Sequence, residues 1–474
     1  MSRFATQTFP GQVVQNSLWN KPYPILKFAG SSGSVWQKPD ELLELPKISE
    51  TDQKIVFSYA VFDKPVNWLS FTMNLNSGSY TVDWGDGTAS EKFTASTSAY
   101  HKFNYSSVSS SVTSASYKQV IVTVTPTVAG TRFTNIDFST KHIDDLRSVV
   151  PSQLYSSNYL LMSIAASNTT RISFSACPGN YGYTPSLMQS CSFVSNTASF
   201  TNLFYLFSTC YSLKNVEFNP SFFPTLTSNM FYYCYNLEIA PNINTASVLE
   251  TTNMFLNCYS LKKVPDYDLT KNTSASYMFS GCYSLEVAPA IKTSTQLRTV
   301  SNMFYFCYNL KTIPLFETGS VVNFSNMFYS NIQLKTAPPF NLSNARTVSY
   351  MFYSCNNLEE VPNYNTQKAT SMASMFLGAS KLKKAPYLNT ACATDVSYLF
   401  STCTKLEEVP YYEIPLATTA DGMFSSCYAL KRITVPYFTN RLLVMSNFFN
   451  ACYSLESASF VSSSITASVS DFTQ

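Results

Sequence analysis

Ser301-Asn302-Met303-Phe304-Tyr305-Phe306-Cys307-Tyr308-Asn309-Leu310-Lys311-Thr312-Ile313-Pro314 is the stretch that decides the fold. It recurs down the chain. Leucines stand at Leu213, Leu237, Leu261, Leu285, Leu310, Leu334, Leu358, Leu382, Leu406, Leu430 and Leu455, in steps of 24 with two steps of 25. A phenylalanine precedes each by six residues, from Phe207 to Phe449. A unit this short cannot bury its apolar side chains alone, so copies at a fixed period stack into a solenoid with a shared core.

Within one unit, Ser or Asn ahead of an apolar run reads as a helix N-cap. Met303, Phe304 and Cys307 at i, i+1 and i+4 share one face of a short helix. Pro314 follows Leu310 within four residues and ends whatever precedes it. The expectation is a turn of helix, a short strand and a loop per unit: an α/β repeat solenoid of eleven units. Proline recurs ten residues after the phenylalanine in eight consecutive units, from Pro241 to Pro410. The flanking units carry Glu217, Thr434 and Ser459 there, and terminal repeats should depart from consensus.

The residue after each leucine alternates in sign: Lys214, Glu238, Lys262, Glu286, Lys311, Lys335, Glu359, Lys383, Glu407, Lys431, Glu456, with one lapse at 311 and 335. In-register strands set such side chains about 4.8 Å apart, where opposite charges attract. Nine cysteines occupy one repeat position, three residues after the phenylalanine, and Asn331 and Ala379 replace them in two units. That is a slot for a small residue. On stacked helical turns equivalent positions would lie about 9–10 Å apart, beyond the ~7 Å limit for a disulfide. Free buried thiols are expected.

The motif Met-Phe-x-x-Cys-x-x-Leu-x-x-Val-Pro resembles the BspA-type leucine-rich repeat of bacterial and protozoan surface proteins, over residues 200 to about 460. The resemblance implies a leucine-rich repeat solenoid and a role in adhesion or host contact.

Ahead of the array, residues 52–127 hold strand-like runs rich in Val, Ile, Tyr, Phe and Trp between turn residues. Val82-Asp83-Trp84-Gly85-Asp86-Gly87-Thr88, then Tyr100-His101-Lys102-Phe103, then Val120-Ile121-Val122-Thr123-Val124, resemble the polycystic-kidney-disease (PKD) type β-sandwich. That resemblance implies a small all-β immunoglobulin-like module that spaces or adheres. Ile136-Asp137-Phe138, Ile172-Ser173-Phe174 and Val216-Glu217-Phe218 read as irregular rungs. The expected order is an extended arm (1–50), the β-sandwich (51–128), capping rungs (129–199) and the solenoid with its C-terminal cap (200–474).

Charged residues make up 12% of the chain and the net charge is +3, against a usual charged share near 25%. No basic run points to nucleic acid, and no stretch approaches the ~18 apolar residues of a membrane span. The first twelve residues lack the apolar core of a secretory signal. Chemistry is sparse. The two histidines, His101 and His142, have no partner at metal-ligand spacing. Asp83 and Asp86 suggest calcium only weakly, because Asp86-Gly87 is first a turn signal. No cofactor motif and no nucleophile motif is present, so the chain reads as non-enzymatic.

What remains is surface. Tyr232, Tyr233, Tyr235, Tyr259, Tyr283, Tyr305, Tyr308, Tyr329 and Tyr353 crowd one part of the repeat, and tyrosine pairs a rigid apolar ring with a polar tip. These are the candidate ligand residues. The expected function is a virion protein of a bacteriophage, on tail or capsid, that displays the repeat surface for host contact. Its N-terminal region would bind other virion proteins, in several copies, and its ligand would be a host glycan or protein. The alternatives are a cellular surface adhesin of BspA type and a purely structural capsid decoration.

Overall fold

Fifteen short strands carry the regular structure of this chain, described in a computed structural model for residues 39–49, 52–63, 67–137, 161–166, 172–173, 188–193, 201–219, 222–434, 436–439 and 444–459. The remainder of the expected arm, His142 and the last residues lie outside that description.

The N-terminal strands are β1 (Ile55–Phe62), β2 (Trp68–Leu75), β3 (Ser79–Asp83), β4 (Glu91–Thr94), β5 (Ser98–Lys102), β6 (Tyr117–Pro126) and β7 (Phe133–Asp137). β8 (Leu161–Ala166), β9 (Ile172–Ser173), β10 (Ser190–Phe193) and β11 (Asn215–Phe218) follow. They form two sheets, ordered β11-β10-β8-β1-β6-β3-β4 and β5-β2-β7-β9. Every residue of β1 is buried: β1 lies mid-sheet, and the second sheet covers the face that carries Phe57 and Tyr59. Phe57 meets Phe71 edge-on at 5.7 Å, and the Tyr59 hydroxyl donates to the Trp68 carbonyl. Gly85 sits at φ +72°, and a Cβ there would lie 2.1 Å from the Ile121 carbonyl oxygen, so the turn after β3 requires glycine.

Among the described residues the sheet of this sandwich continues into the array. β8 pairs antiparallel with β1, then β10 and β11 add in parallel. In the second sheet β9 pairs in parallel with β7, setting Ile172 opposite Ile136. The sheet thus changes from antiparallel to parallel without a break, and one apolar core runs from Leu42 to Cys452. Phe193 of β10 stacks on Phe218 at 4.9 Å and meets Phe207, first of the repeat phenylalanines, at 6.1 Å.

The eleven units stack as a leucine-rich repeat solenoid. Their phenylalanines form one column with centroids 5.2 to 5.9 Å apart, and the leucines Leu213 to Leu430 beside them have no solvent exposure. The expected helical turn is absent: no helix occurs among the described residues. In its place are overlapping β-turns, closed in the fifth unit by Met303 N–H to Val300 O, Tyr305 N–H to Asn302 O and Cys307 N–H to Phe304 O. The intervening N–H groups of Asn302, Phe304 and Phe306 donate to Ser325, Met327 and Tyr329 of the next unit. Asn302 and Phe306 have φ of +58°. Left-handed residues at these two positions bar a right-handed helix, and bonds along the solenoid replace bonds along a helix axis. Asn302 is a turn residue and not a cap.

Tight stacking also corrects the distance argument for the thiols. Units about 5 Å apart bring neighbouring cysteines within bridging range, yet all described cysteines are free. The column thiols from Cys234 on have another partner. Cys258 Sγ donates to the Phe231 carbonyl at 3.2 Å, and the pattern repeats from Cys234 to Cys452.

Strand pairing reveals a period of two units. The residue five before each phenylalanine makes an unbroken run of parallel bridges from Asn202 to Val444. Two residues after the leucine, bridges instead join alternate neighbours: Ile239–Lys263, Val287–Thr312, Thr336–Glu360 and Lys384–Glu408. β14 (Arg432–Thr434) and β15 (Ser457–Ser459) continue that column. After the proline the complementary interfaces close, by β12 (Tyr267–Asp268) on β13 (Ile291–Lys292), Tyr364 on Leu388 and Glu413 on Tyr437. Sequence follows suit. Ala240, Ala288, Ala337 and Ala385 precede proline in even units, while Val264, Ile313, Val361 and Val409 do so in odd ones.

Candidate functional site

The stacked turns decide where the tyrosines lie. At four residues after the phenylalanine, Tyr211, Tyr235, Tyr259 and Tyr283 stack in near-parallel sequence at 4.8, 4.6 and 4.5 Å, and Tyr308 extends the column at 5.0 Å. At one residue after it, Tyr305, Tyr329 and Tyr353 form a second column at 4.7 and 4.3 Å. Phe306 links the two, lying 5.5 Å from both Tyr308 and Tyr329. Tyr232 packs on Tyr233 at 4.1 Å, and Tyr233 on Tyr235 at 5.7 Å.

All nine candidate tyrosines therefore meet in one connected stripe crossing units one to seven. Each is half-buried. Sequence reading missed Tyr211, Phe306 and Tyr350, which packs on Tyr353 at 5.9 Å and is itself exposed. The missing signal was position within the repeat: columns, not mere abundance, bring rings together.

Burial and neighbouring phenols push Tyr259 and Tyr283 up to about 12. Burial likewise raises Tyr305, Tyr308 and Tyr329. The stripe presents neutral hydroxyls at ordinary pH. Its surroundings are uncharged as well. From three residues before the phenylalanine to five after, units one to seven contain no Asp, Glu, Lys, Arg or His.

The charges lie on a different column, after the leucine. Lys262 reaches Glu238 at 3.0 Å, Lys311 reaches Glu286 at 2.9 Å and Lys214 reaches Glu238 at 3.9 Å. Lys384 meets Glu408 at 3.0 Å one position on. Exposed pairs of this kind contribute at most about 1 kcal/mol each, so the column supports register more than stability.

In the N-terminal module His101 stacks on Trp84 at 4.8 Å and bonds Asp86 through Nε2 at 2.8 Å. Thr88 donates to Asp86 from both N–H and hydroxyl. After burial, which opposes it, these bonds and His101 hold the Asp86 carboxyl below its usual range. Asp83 accepts from the Gly85 N–H. These groups satisfy one another between the turn after β3 and His101 of β5. Among the described residues no cluster of three His, Cys, Asp or Glu side chains is arranged to hold a metal.

Residues 179–299 match the BspA type leucine rich repeat region, in six copies, and residues 291–387 and 359–462 match a Mycoplasma protein family of unknown function, DUF285. No curated protein matches. Among solved structures, the Drosophila Toll–Spatzle complex is similar at 15% identity and a TM-score of 0.22, covering 58% of this chain and 39% of that one. The TLR13–ssRNA13 complex is similar at 11% identity and a TM-score of 0.24, covering 58% and 43%. At those scores neither likeness carries an argument, and this chain spans less than half the length of either. The BspA-type match thus covers the first repeats and ends at residue 299, and the DUF285 matches cover the later repeats to residue 462.

Proposed function

We propose that this chain is a non-enzymatic adhesion protein whose solenoid presents the tyrosine stripe to a host surface. The observation that carries the reading is the stripe itself: nine tyrosines gathered on an uncharged face of a stacked array. Rigid aromatic rings with polar tips, amid Ser and Asn, make adaptable contacts at little cost in conformational entropy. No histidine or carboxylate pair lies among these turns.

The carrier in this reading is a bacteriophage particle, with the chain on tail or capsid in several copies. Low charge and a Ser/Thr/Asn/Tyr-rich surface support it. Residues 1–50 and the PKD-like sandwich of 51–128 join the carrier, 129–199 cap the array, and 200–474 carry the contact surface. Where the carrier is instead a cell, the BspA-type match favours a cellular surface adhesin. Mass spectrometry separates the two: the chain is expected in purified particles, and its confinement to intact cells would remove the virion reading.

Adhesion itself is tested with the purified full chain. It should bind intact host cells, and replacing Tyr305, Tyr329 and Tyr353 together by Ser should abolish binding. Equal binding by the variant, or assembly defects with no adhesion, would favour a structural decoration instead.

A further inference from the structure

We infer that the stripe takes an uncharged linear polysaccharide laid along the solenoid axis, an inference that rests on the adhesive reading above. The first argument is geometric. Ring planes of Tyr235, Tyr259 and Tyr283 are tilted by only 5° and 6° from one another, and those of Tyr329 and Tyr353 by 9°. Stacked rings cover each other's faces. The stripe offers a ligand ring rims and phenol hydroxyls, not flat aromatic platforms. Platforms would favour bases or isolated sugars. Rims and hydroxyls favour a ligand that is itself lined with hydroxyls.

Periodicity is the second argument. The same phenol recurs at 4.5 to 5.0 Å through five consecutive units. A repeating row of identical donors matches a polymer that repeats on the same scale, as a chain of pyranose rings does.

Charge supplies the third. Recognition of a polyanion requires Lys or Arg, and the turn face of units one to seven has neither. The first cation of this window is Lys381, in unit eight. Units two to seven also keep their small side chains polar and neutral there, as in Ser228-Asn229, Ser301-Asn302 and Ser325-Asn326.

Affinity electrophoresis of the full chain tests the inference, with neutral linear glucans, mannans and galactans of graded length and with alginate as the polyanionic probe. Retardation is expected from at least one neutral polymer, to rise with its length, and to change less than about twofold when salt rises about tenfold. Tyr259→Phe with Tyr283→Phe keeps the rings and removes two hydroxyls. This variant should remain folded and bind roughly tenfold more weakly. Tyr428→Phe, which lies outside the stripe, should bind unchanged. Three results would overturn the inference: retardation by alginate alone, full binding by the double variant, or adhesion to host cells that protease treatment of those cells abolishes. A chain retarded by a neutral polymer yet adhering to no host cell would remove the adhesive reading and leave the polysaccharide site standing.

Discussion

The hydroxyl of Tyr364 donates a 2.7 Å hydrogen bond to the carbonyl of Pro338, one unit earlier. Tyr267 does the same to Pro241 and Tyr412 to Pro386. All three tyrosines are buried and stand two residues after the proline of odd-numbered units. Even units place Ile243, Ile291, Phe340 and Leu388 there. Unit five has Phe316 at that place, so the bond closes three of the four even-to-odd interfaces between units two and nine and reinforces the double unit that the alternating bridges define. Tyr364→Phe should keep the packing and lose the bond, at a cost of about 1 kcal/mol. Because repeat arrays open locally, hydrogen exchange around residues 338–364 is the measurement. No change in protection there would refute the double-unit account.

Asn331 stands in the thiol column with no solvent exposure, and neither end of its amide has a hydrogen-bond partner. A cysteine there would be smaller and could donate to the Phe304 carbonyl as its neighbours do to theirs. Asn331→Cys is expected to stabilise the central units by about 1–3 kcal/mol, since the unpartnered amide is removed. Denaturant unfolding of the variant should shift upward, and a downward shift would mean that the amide is satisfied in solution.

Two glycines of one turn separate space from backbone strain. Gly85→Ala forces a Cβ onto the Ile121 carbonyl, whereas a Cβ at Gly87, φ +87°, meets nothing within 4 Å. Gly87→Ala should cost about 1–2 kcal/mol, and Gly85→Ala clearly more because the strands around it must part. Thermal melting ranks them, and equal costs would contradict the close approach.

Alkaline pH should loosen the stripe. Tyr259 and Tyr283 titrate near 12 in the fold and near 10 when unfolded. Above pH 10 the unfolded chain gives up protons that the folded chain keeps. The stability these phenols contribute is therefore present below pH 10 and lost between about 10 and 12. Phenolate absorbance should lag behind free tyrosine until unfolding. Titration in step with free tyrosine would contradict the stacked column.

Thiol labelling probes the core. Cys234, Cys258, Cys282 and Cys307 have no exposure, and burial raises Cys258, Cys282 and Cys307 strongly. Thiolates are the reactive form. Among the described cysteines, Cys392 is half-buried and outside the column. It should react first with a thiol reagent, and the column only on unfolding. Rapid labelling of Cys258 in the native protein would argue against the shared dry interior.

Period, unit count and core membership were legible because they follow from spacing alone. Phe304 and Leu310 must be inside in any stacked arrangement. The local conformation was misread for a physical reason. Met303, Phe304 and Cys307 suit one helical face, yet the same side chains also point inward from successive β-turns. Nothing in that pattern says whether the N–H of Phe304 bonds within its unit or to Met327. The error carried into the spacing between cysteines, since helical turns stack wider than β-turns.

The candidate tyrosines were legible as residue types but not as a surface. By itself, the sequence determined that eleven copies share one core and that the turn segments of seven consecutive units carry no charge, because repeat period and composition require no coordinates. Only the tertiary structure decided that Tyr308 and Tyr329 belong to one stripe, joined through Phe306, and that β10 continues the sandwich sheet into the array. Those outcomes rest on which N–H groups bond across units and on the ~5 Å rise that results, both properties of the assembled stack and not of any single repeat.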